Sequence, residues 1–189
     1  QHRPYVQRTL ALKRGQCDVS PLDLNIENAE VELPYKPMMR FSAPVFDSEN
    51  TLKGIVVLNY LANNLLELVP EKNHLLLNSE GYYLRGGPEG AQWGWMLGHE
   101  RCFANENPAL WQKIAPADNG RFMDNGRLVL FTSIRPLAKV SELRNRIRAE
   151  GMRQSADLNQ YNWKLVRIID NPPQLSGSAA LERRWLILY

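Results

Sequence analysis

The spacing of apolar and polar residues changes period several times along the chain, and each change marks an element. From Pro4 to Arg14 the apolar residues Tyr5, Val6 and Leu10, with Leu12 beside them, fall near helical spacing. Pro4 suits a first turn and Gly15 a C-terminal stop, so a short helix is predicted. Cys17 to Leu24 alternates through Val19, Leu22 and Leu24 around Pro21, which predicts a strand that lies near an edge or carries a bulge. Asn25 to Pro37 holds Glu27, Glu30 and Glu32 with two prolines, the composition of a solvated loop or a marginal strand. Met38–Phe46 and Thr51–Tyr60, joined by the polar turn Asp47-Ser48-Glu49-Asn50, predict an antiparallel hairpin. The continuous run Ile55-Val56-Val57-Leu58 predicts that its second strand is covered on both faces. Leu61 to Val69 reads as a short helix stopped by Pro70, with a domain boundary near Pro70 to Asn73.

Beyond that boundary, Leu75-Leu76-Leu77 and Tyr82-Tyr83-Leu84 flank Asn78-Ser79-Glu80-Gly81 and predict a second hairpin, released by the loop Gly86-Gly87-Pro88. Residues 91–116 mix Trp, Phe and Met with scattered Gly and Pro, so short helices are predicted; Asn107-Pro108 opens one, with Leu110, Trp111 and Ile114 on its inner face. Gly120–Met123 and Arg127–Leu137 flank Asp124-Asn125-Gly126, the strongest short hairpin signal in the chain. Val140 to Ala156 reads as helix, Tyr161 to Asp170 as a last strand, and Leu175 to Tyr189 as a last helix. This order fits one antiparallel sheet with helices gathered between its second and third strands. The first stretch matches only the later part of the same plan.

Composition narrows the class. The 189 residues are 44% apolar and 23% charged, which excludes intrinsic disorder, and no stretch approaches the roughly 18 uncharged apolar residues of a membrane span. A net charge of +3 is far from the dense basic surface of a dedicated nucleic-acid binder. The excess sits in residues 139–189. That region ends in Leu181 to Tyr189, either the last turn of a packed helix or the first turn of a membrane span. Two cysteines, Cys17 and Cys102, provide no disulfide framework and read as small buried apolar residues. Gln1-His2-Arg3-Pro4 lacks a signal-peptide layout and an initiator Met, so the chain reads as an internal stretch of a longer protein.

Three strings are recognisable: Ser20-Pro21-Leu22-Asp23-Leu24-Asn25, then Lys36 through Asp47, then Gly54 through Leu61. They resemble the double Cache sensor domains of bacterial membrane receptors, and Asn78 through Leu84 with Trp93-Gly94-Trp95-Met96 resemble pieces of the second Cache module. The resemblance covers residues 5–170. It implies an α+β fold of two PAS-like Cache modules, each an antiparallel sheet with helices, the first truncated at its N-terminus. Residues 1–70 would be the partial membrane-distal module, residues 71–170 the membrane-proximal module, and residues 171–189 a C-terminal helix leading toward a membrane span. A full double Cache domain starts with a long helix and two further strands before the point where this chain begins.

The resemblance further implies a periplasmic domain of an inner-membrane protein, anchored by segments outside this chain. The partners expected are a small-molecule ligand and a second copy in the full receptor, with no nucleic acid. The output implied is a histidine kinase or a diguanylate cyclase of the GGDEF type, less often a chemoreceptor signalling domain.

No catalytic signature is present, and no cofactor or metal is expected. His2, His74 and His99 are isolated from one another, and Gly86-Gly87-Pro88-Glu89-Gly90 lacks the spacing of a dinucleotide loop. Asp23, Glu27, Glu30 and Glu32 are weighed as paired acids of a secreted carbohydrate-active hydrolase or a carbohydrate-binding protein, against the reading that they are solvated. Arg144, Arg146 and Arg148 do not share one helix face, so they form no single phosphate comb. For a ligand pocket the candidates are the aromatics Tyr82, Tyr83, Trp93, Trp95, Trp111 and Phe122, with Phe103 beside them, in and beside the irregular helices. Each is weighed against core packing. Arg40 lies in an apolar strand and needs a partner: Asp23 in a structural pair, or a ligand carboxylate.

Overall fold

The protein is described by a computed structural model over residues 3–136, 153–154 and 161–172. Helix α1 (Pro4–Leu10) leads into β1 (Gln16–Val19) and β2 (Asp23–Leu24). The break between these strands is Ser20-Pro21-Leu22, and both pair with one edge of β5 (Pro37–Phe46): Val19 faces Phe41, and Asp23 faces Met38. The ladder is held through the break because Ser20 N–H donates to the Arg40 carbonyl while Arg40 N–H donates to Ser20 Oγ. The predicted bulge at Pro21 is therefore present. The other edge of β5 carries β6 (Leu52–Leu61) through the predicted turn, where Asp47 Oδ1 accepts the Glu49 and Thr51 N–H groups. Between β2 and β5 the acidic stretch forms a small ribbon of β3 (Ile26–Glu27) and β4 (Glu30–Val31).

Helix α2 (Asn63–Glu67) connects to the second sheet, ordered β8-β7-β12-β10-β9 and antiparallel throughout. Its strands are β7 (His74–Leu77), β8 (Tyr83–Arg85), β9 (Asn119–Asp124), β10 (Arg127–Ile134) and β12 (Trp163–Ile169). Asn125 and Gly126 both take positive φ in the β9–β10 turn, as an Asn-Gly hairpin requires. Helices α3 (Gly94–Leu97), α4 (Phe103–Glu106) and α5 (Pro108–Ile114) fall between the second and third strands in chain order, as predicted.

Strand alternation divides the side chains of each sheet between two cores. One face of the second sheet sends Leu77, Val129, Phe131 and Val166 under the helical roof, where Phe103, Leu110 and Ile114 meet them. Its other face sends Leu76, Leu84 and Trp163 into a cluster with Val19, Leu22, Leu24 and Met39 from the first-sheet side, Leu66 of α2 and Val69 just after it. The two sheets thus share one apolar core. Tyr161, 1% exposed, stitches the seam by donating its hydroxyl to the Val19 carbonyl.

Three expectations are corrected. The strand predicted to be covered on both faces is an outer edge: Val56 is 57% exposed and Leu58 65%, because among the described residues nothing pairs with β6 beyond β5 or covers that part of its face. The helix predicted over 140–156 contains, at Arg153–Gln154, the short strand β11, which pairs in parallel with Gln16–Cys17 of β1. Cys102 is buried as expected, but Cys17 is only half-buried. The rest of 140–156, with Arg144, Arg146 and Arg148, and the predicted helix 175–189 lie outside the described residues. Among those that are described, no helix is long and apolar enough to cross a membrane.

These burials make a direct contrast. Met39→Ala should cost ~2–4 kcal/mol in chemical denaturation, as expected for a core truncation. Leu58→Ser should stay within ~0.5 kcal/mol. A Leu58→Ser loss comparable to that of Met39→Ala would place a covering element over β6.

Candidate functional site

The residues singled out from the sequence fall into two places. In the first sheet, alternation puts Asp23, Met38, Arg40 and Ser42 on the face that α1 covers. Arg40 is 5% exposed, and both terminal nitrogens of its guanidinium are engaged: Nη1 donates to Asp23 Oδ1 at 2.8 Å, Nη2 to Asn25 Oδ1 at 2.8 Å, and the Tyr5 ring lies 5.5 Å away. Of the two roles weighed for Arg40, the pair with Asp23 is the one formed. Burial pushes the Asp23 carboxyl above the ordinary carboxylate range, against the lowering effect of the Arg40 hydrogen bond and charge. Around this pair, Arg8 donates from Nε and Nη2 to the buried Asp18, and the Thr9 and Ser42 hydroxyls share a hydrogen bond. The layer beneath α1 is polar and internally satisfied.

The acidic residues weighed as a hydrolase pair hold structure instead. Asn25 Nδ2 donates to Glu27 Oε1 and Glu32 Oε2, and Glu32 also pairs with Lys36. Lys36 and Asn25 hold the Glu32 carboxyl below its ordinary value, the opposite of what a general acid needs. Glu30 is exposed.

The aromatics of the second sheet separate into three groups. Tyr82, Trp95 and Trp93 form a chain, with ring centroids 5.4 and 5.5 Å apart. Tyr83 and Trp111 both stand edge-on to Phe103, at 6.4 Å each. Phe122 stands against Phe131 and receives the Lys113 ammonium 5.0 Å from its ring centroid. Tyr83 is core: its hydroxyl donates to Glu106 Oε2 at 2.8 Å, and burial followed by Glu106 pushes its phenol far above the ordinary range. Trp93 is 4% exposed and belongs to the core shared by the two sheets, and it also borders an open space.

That space is a cleft of about 560 Å³ at the seam between the sheets. Tyr35, just before β5, bounds it on one side and Glu71 at the connector on another; residues 86–90, Gln92, Trp93, Leu97 and His99 form the rest. Two local features shape it. Gly86 and Gly87 both have positive φ, and there a Cβ on Gly86 would overlap the His74 carbonyl while one on Gly87 would sit 2.6 Å from the Tyr83 ring. Only glycine lets this loop lie flat against β7 and Tyr83. Trp93 itself has φ 61° and ψ 28°, an uncommon conformation for a bulky residue, fixed by its N–H donating to the Tyr83 carbonyl. Such strain costs on the order of 1–3 kcal/mol and gathers at functional sites.

Tyr35, Gln92 and His99 were not singled out from the sequence. The Gly-rich stretch Gly86–Gly90 is the sequence signal nearest to them, and its spacing reads as a connection. Among the described residues, no three His, Cys, Asp or Glu side chains gather closely enough to hold a metal ion.

Residues 1–147 match the family described as the sensor domain of bacterial histidine kinases. Among solved structures, the chain is similar to the extracellular domain of vpHK1S-Z8, described as a histidine kinase, at 18% identity and a TM-score of 0.68, covering 89% of this chain and 55% of that one. It is similar to a domain of a sensory box/GGDEF family protein from Vibrio parahaemolyticus at 19% identity and 0.67, covering 90% and 58%. It is also similar to the periplasmic sensory domain of the Campylobacter jejuni chemoreceptor Tlp1 at 13% identity and 0.54, covering 93% and 59%. The chain therefore spans little more than half the length of these solved relatives. No curated protein matches it.

Two measurements check the site's architecture. Asp23→Ala leaves the buried Arg40 guanidinium short of its counter-charge and should cost ~3 kcal/mol in urea unfolding, whereas Glu30→Ala should stay within ~0.5 kcal/mol. In a carboxyl NMR titration, the Asp23 midpoint should lie above 3.8, its ordinary value. A raised folded value means that this group's contribution to stability is fully present below that ordinary value and is lost as pH rises through the folded one.

Proposed function

The chain belongs to the family of bacterial histidine kinase sensor domains, and on that premise we propose that it is the extracytoplasmic, small-molecule-sensing input of a transmembrane signalling receptor. The single observation that carries this reading is the family match over residues 1–147; the likeness of the fold to an extracellular histidine kinase domain supports it. In this proposal residues 1–70 form a membrane-distal Cache module lacking its first elements, residues 71–170 the membrane-proximal module, and residues 171–189 the helix toward the membrane. The output is a histidine kinase or a GGDEF diguanylate cyclase, and the receptor works as a homodimer.

Mechanistically, a ligand that binds one arrangement of the two sheets better than another shifts the population toward that arrangement by its differential affinity. The cleft at the seam suits this role, because its walls come from both sides of the shared core. A shift there changes how the second sheet is held against the first. Among the described residues, no arrangement of acids favours the hydrolase alternative.

The test is a thermal-shift screen of the purified chain against amino acids, amines, organic acids and sugars. A ligand present at 100 times its Kd should add about 2.7 kcal/mol of stability, a rise of several degrees in Tm. A flat response across the whole panel would count against ligand sensing by this chain.

A further inference from the structure

The helices are not all attached by the same force. Each of α2 to α5 sends apolar side chains into or against one of the two apolar clusters, whereas α1 sends none. Leu10 of α1 is 45% exposed, and Tyr5 and Val6 are only half-buried. What binds this helix is polar. Arg8 donates from Nε and Nη2 to Asp18, the Thr9 and Ser42 hydroxyls share one hydrogen bond, and the Tyr5 ring lies over the Arg40 guanidinium. Just ahead of the helix, Arg3 donates to the Ile26 carbonyl. Six of the seven buried polar or charged side chains among the described residues lie in α1, the first sheet or the residues joining its strands, and only Lys164 lies elsewhere. The cohesion of α1 with the sheet is therefore a matter of hydrogen bonds and charge.

Lifting such a helix uncovers hydrogen-bonding groups rather than apolar surface. A bond given up to water loses little net, because water takes the partner's place, while an apolar face forfeits its whole transfer free energy. The sheet side is prepared for the change. Both Arg40 bonds run to Asp23 and Asn25, which stay with the sheet, so Asp18 and Ser42 are the side chains that exchange a partner for water. Seven residues are too few for a helix to persist by itself once detached, so its bonds to the sheet are lost together. A joint is at hand: Leu12 is buried and remains as the anchor, and Gly15 follows at φ 80° before β1 begins. We propose that α1 is a strap that opens as one unit about residues 12–15, uncovering the polar face of the first sheet while both apolar clusters stay closed. The domain then has two states, and their balance is set by the Arg8–Asp18 pair and the Thr9–Ser42 bond. This opening is independent of what the seam cleft binds.

The experiment places a thiol under the strap. In the purified Ser42→Cys chain, labelling of position 42 by N-ethylmaleimide is followed by mass spectrometry, which separates it from Cys17 and Cys102. Ser42 is 2% exposed, so a thiol there reacts only through an opening. Labelling should proceed under native conditions with little dependence on urea, because the strap uncovers little surface, whereas global unfolding carries the full equilibrium slope. Adding Arg8→Ala should speed it at least ~10-fold with the weak urea dependence unchanged, since a charge-assisted bond of the closed state is lost. In the chain without substitutions, the amide protons of Arg8, Thr9 and Ala11 should exchange with the same weak urea dependence. A full urea slope at position 42 would make α1 part of the globally unfolding unit and overturn the proposal. So would α1 amides that exchange readily while the thiol stays protected, which is fraying in place, or an Arg8→Ala rate equal to that of its parent.

Discussion

The fold depends on one apolar layer that neither sheet owns. Val19, Leu22, Leu24 and Met39 of the first sheet and Leu76, Leu84 and Trp163 of the second are buried against each other, with Leu66 and Val69 filling in beside α2. Neither sheet could leave that face in water: a contiguous apolar surface of this extent is a liability for any isolated domain. The other faces are independent. The second sheet's far side is sealed by α4 and α5, and the first sheet's far side by α1 over a polar layer. The arrangement is thus a stack in which the central interface is apolar and non-directional, while position across it is fixed by a few directional bonds such as that from Tyr161 to Val19.

Other directional elements lie on either side of that layer, one beneath α1 and one beside the cleft. The buried Arg40 is paired in geometry too specific to be exchanged for an apolar residue without rearranging Asp23, Asn25 and Tyr5 together. On the roof side, the Gly86–Gly87 turn and the left-handed Trp93 are both tied to Tyr83, whose carbonyl holds Trp93 and whose ring packs under Gly87. Tyr83 is in turn anchored through Glu106 to Arg101, and Arg101 reaches back to the Glu89 carbonyl. The cleft wall is therefore a closed circuit of bonds, so a change at its rim is felt by the roof.

Much of this was legible from residue spacing. The Asp47 turn, the Asn125-Gly126 hairpin, the Pro21 bulge and the short helices between residues 91 and 116 are each set by local chemistry, and local chemistry is what a sequence carries. The charge of Arg40 inside an apolar strand required a partner, and Asp23 is that partner. The strings from Lys36 to Asp47 and from Gly54 to Leu61 pointed to bacterial sensor domains. What was not legible is tertiary. Ile55-Val56-Val57-Leu58 shows a strand apolar on both faces, but nothing in its alternation says whether anything covers them. The two residues of β11 carry no strand pattern of their own and pair only because β1 offers an edge. The cleft joins Tyr35 to His99 across a long separation in sequence, and no spacing rule brings those two together.

The pairing of β11 with β1 has a mechanical meaning. The chain builds four strands of the second sheet, crosses to hydrogen-bond with Gln16 and Cys17 in the first, and returns to supply the second sheet's central strand. The two halves are interlocked rather than strung in series on residues 70–73. The strand at the centre of the second sheet is therefore preceded in the chain by a segment hydrogen-bonded into the opposite half, so the halves cannot part without breaking that pairing.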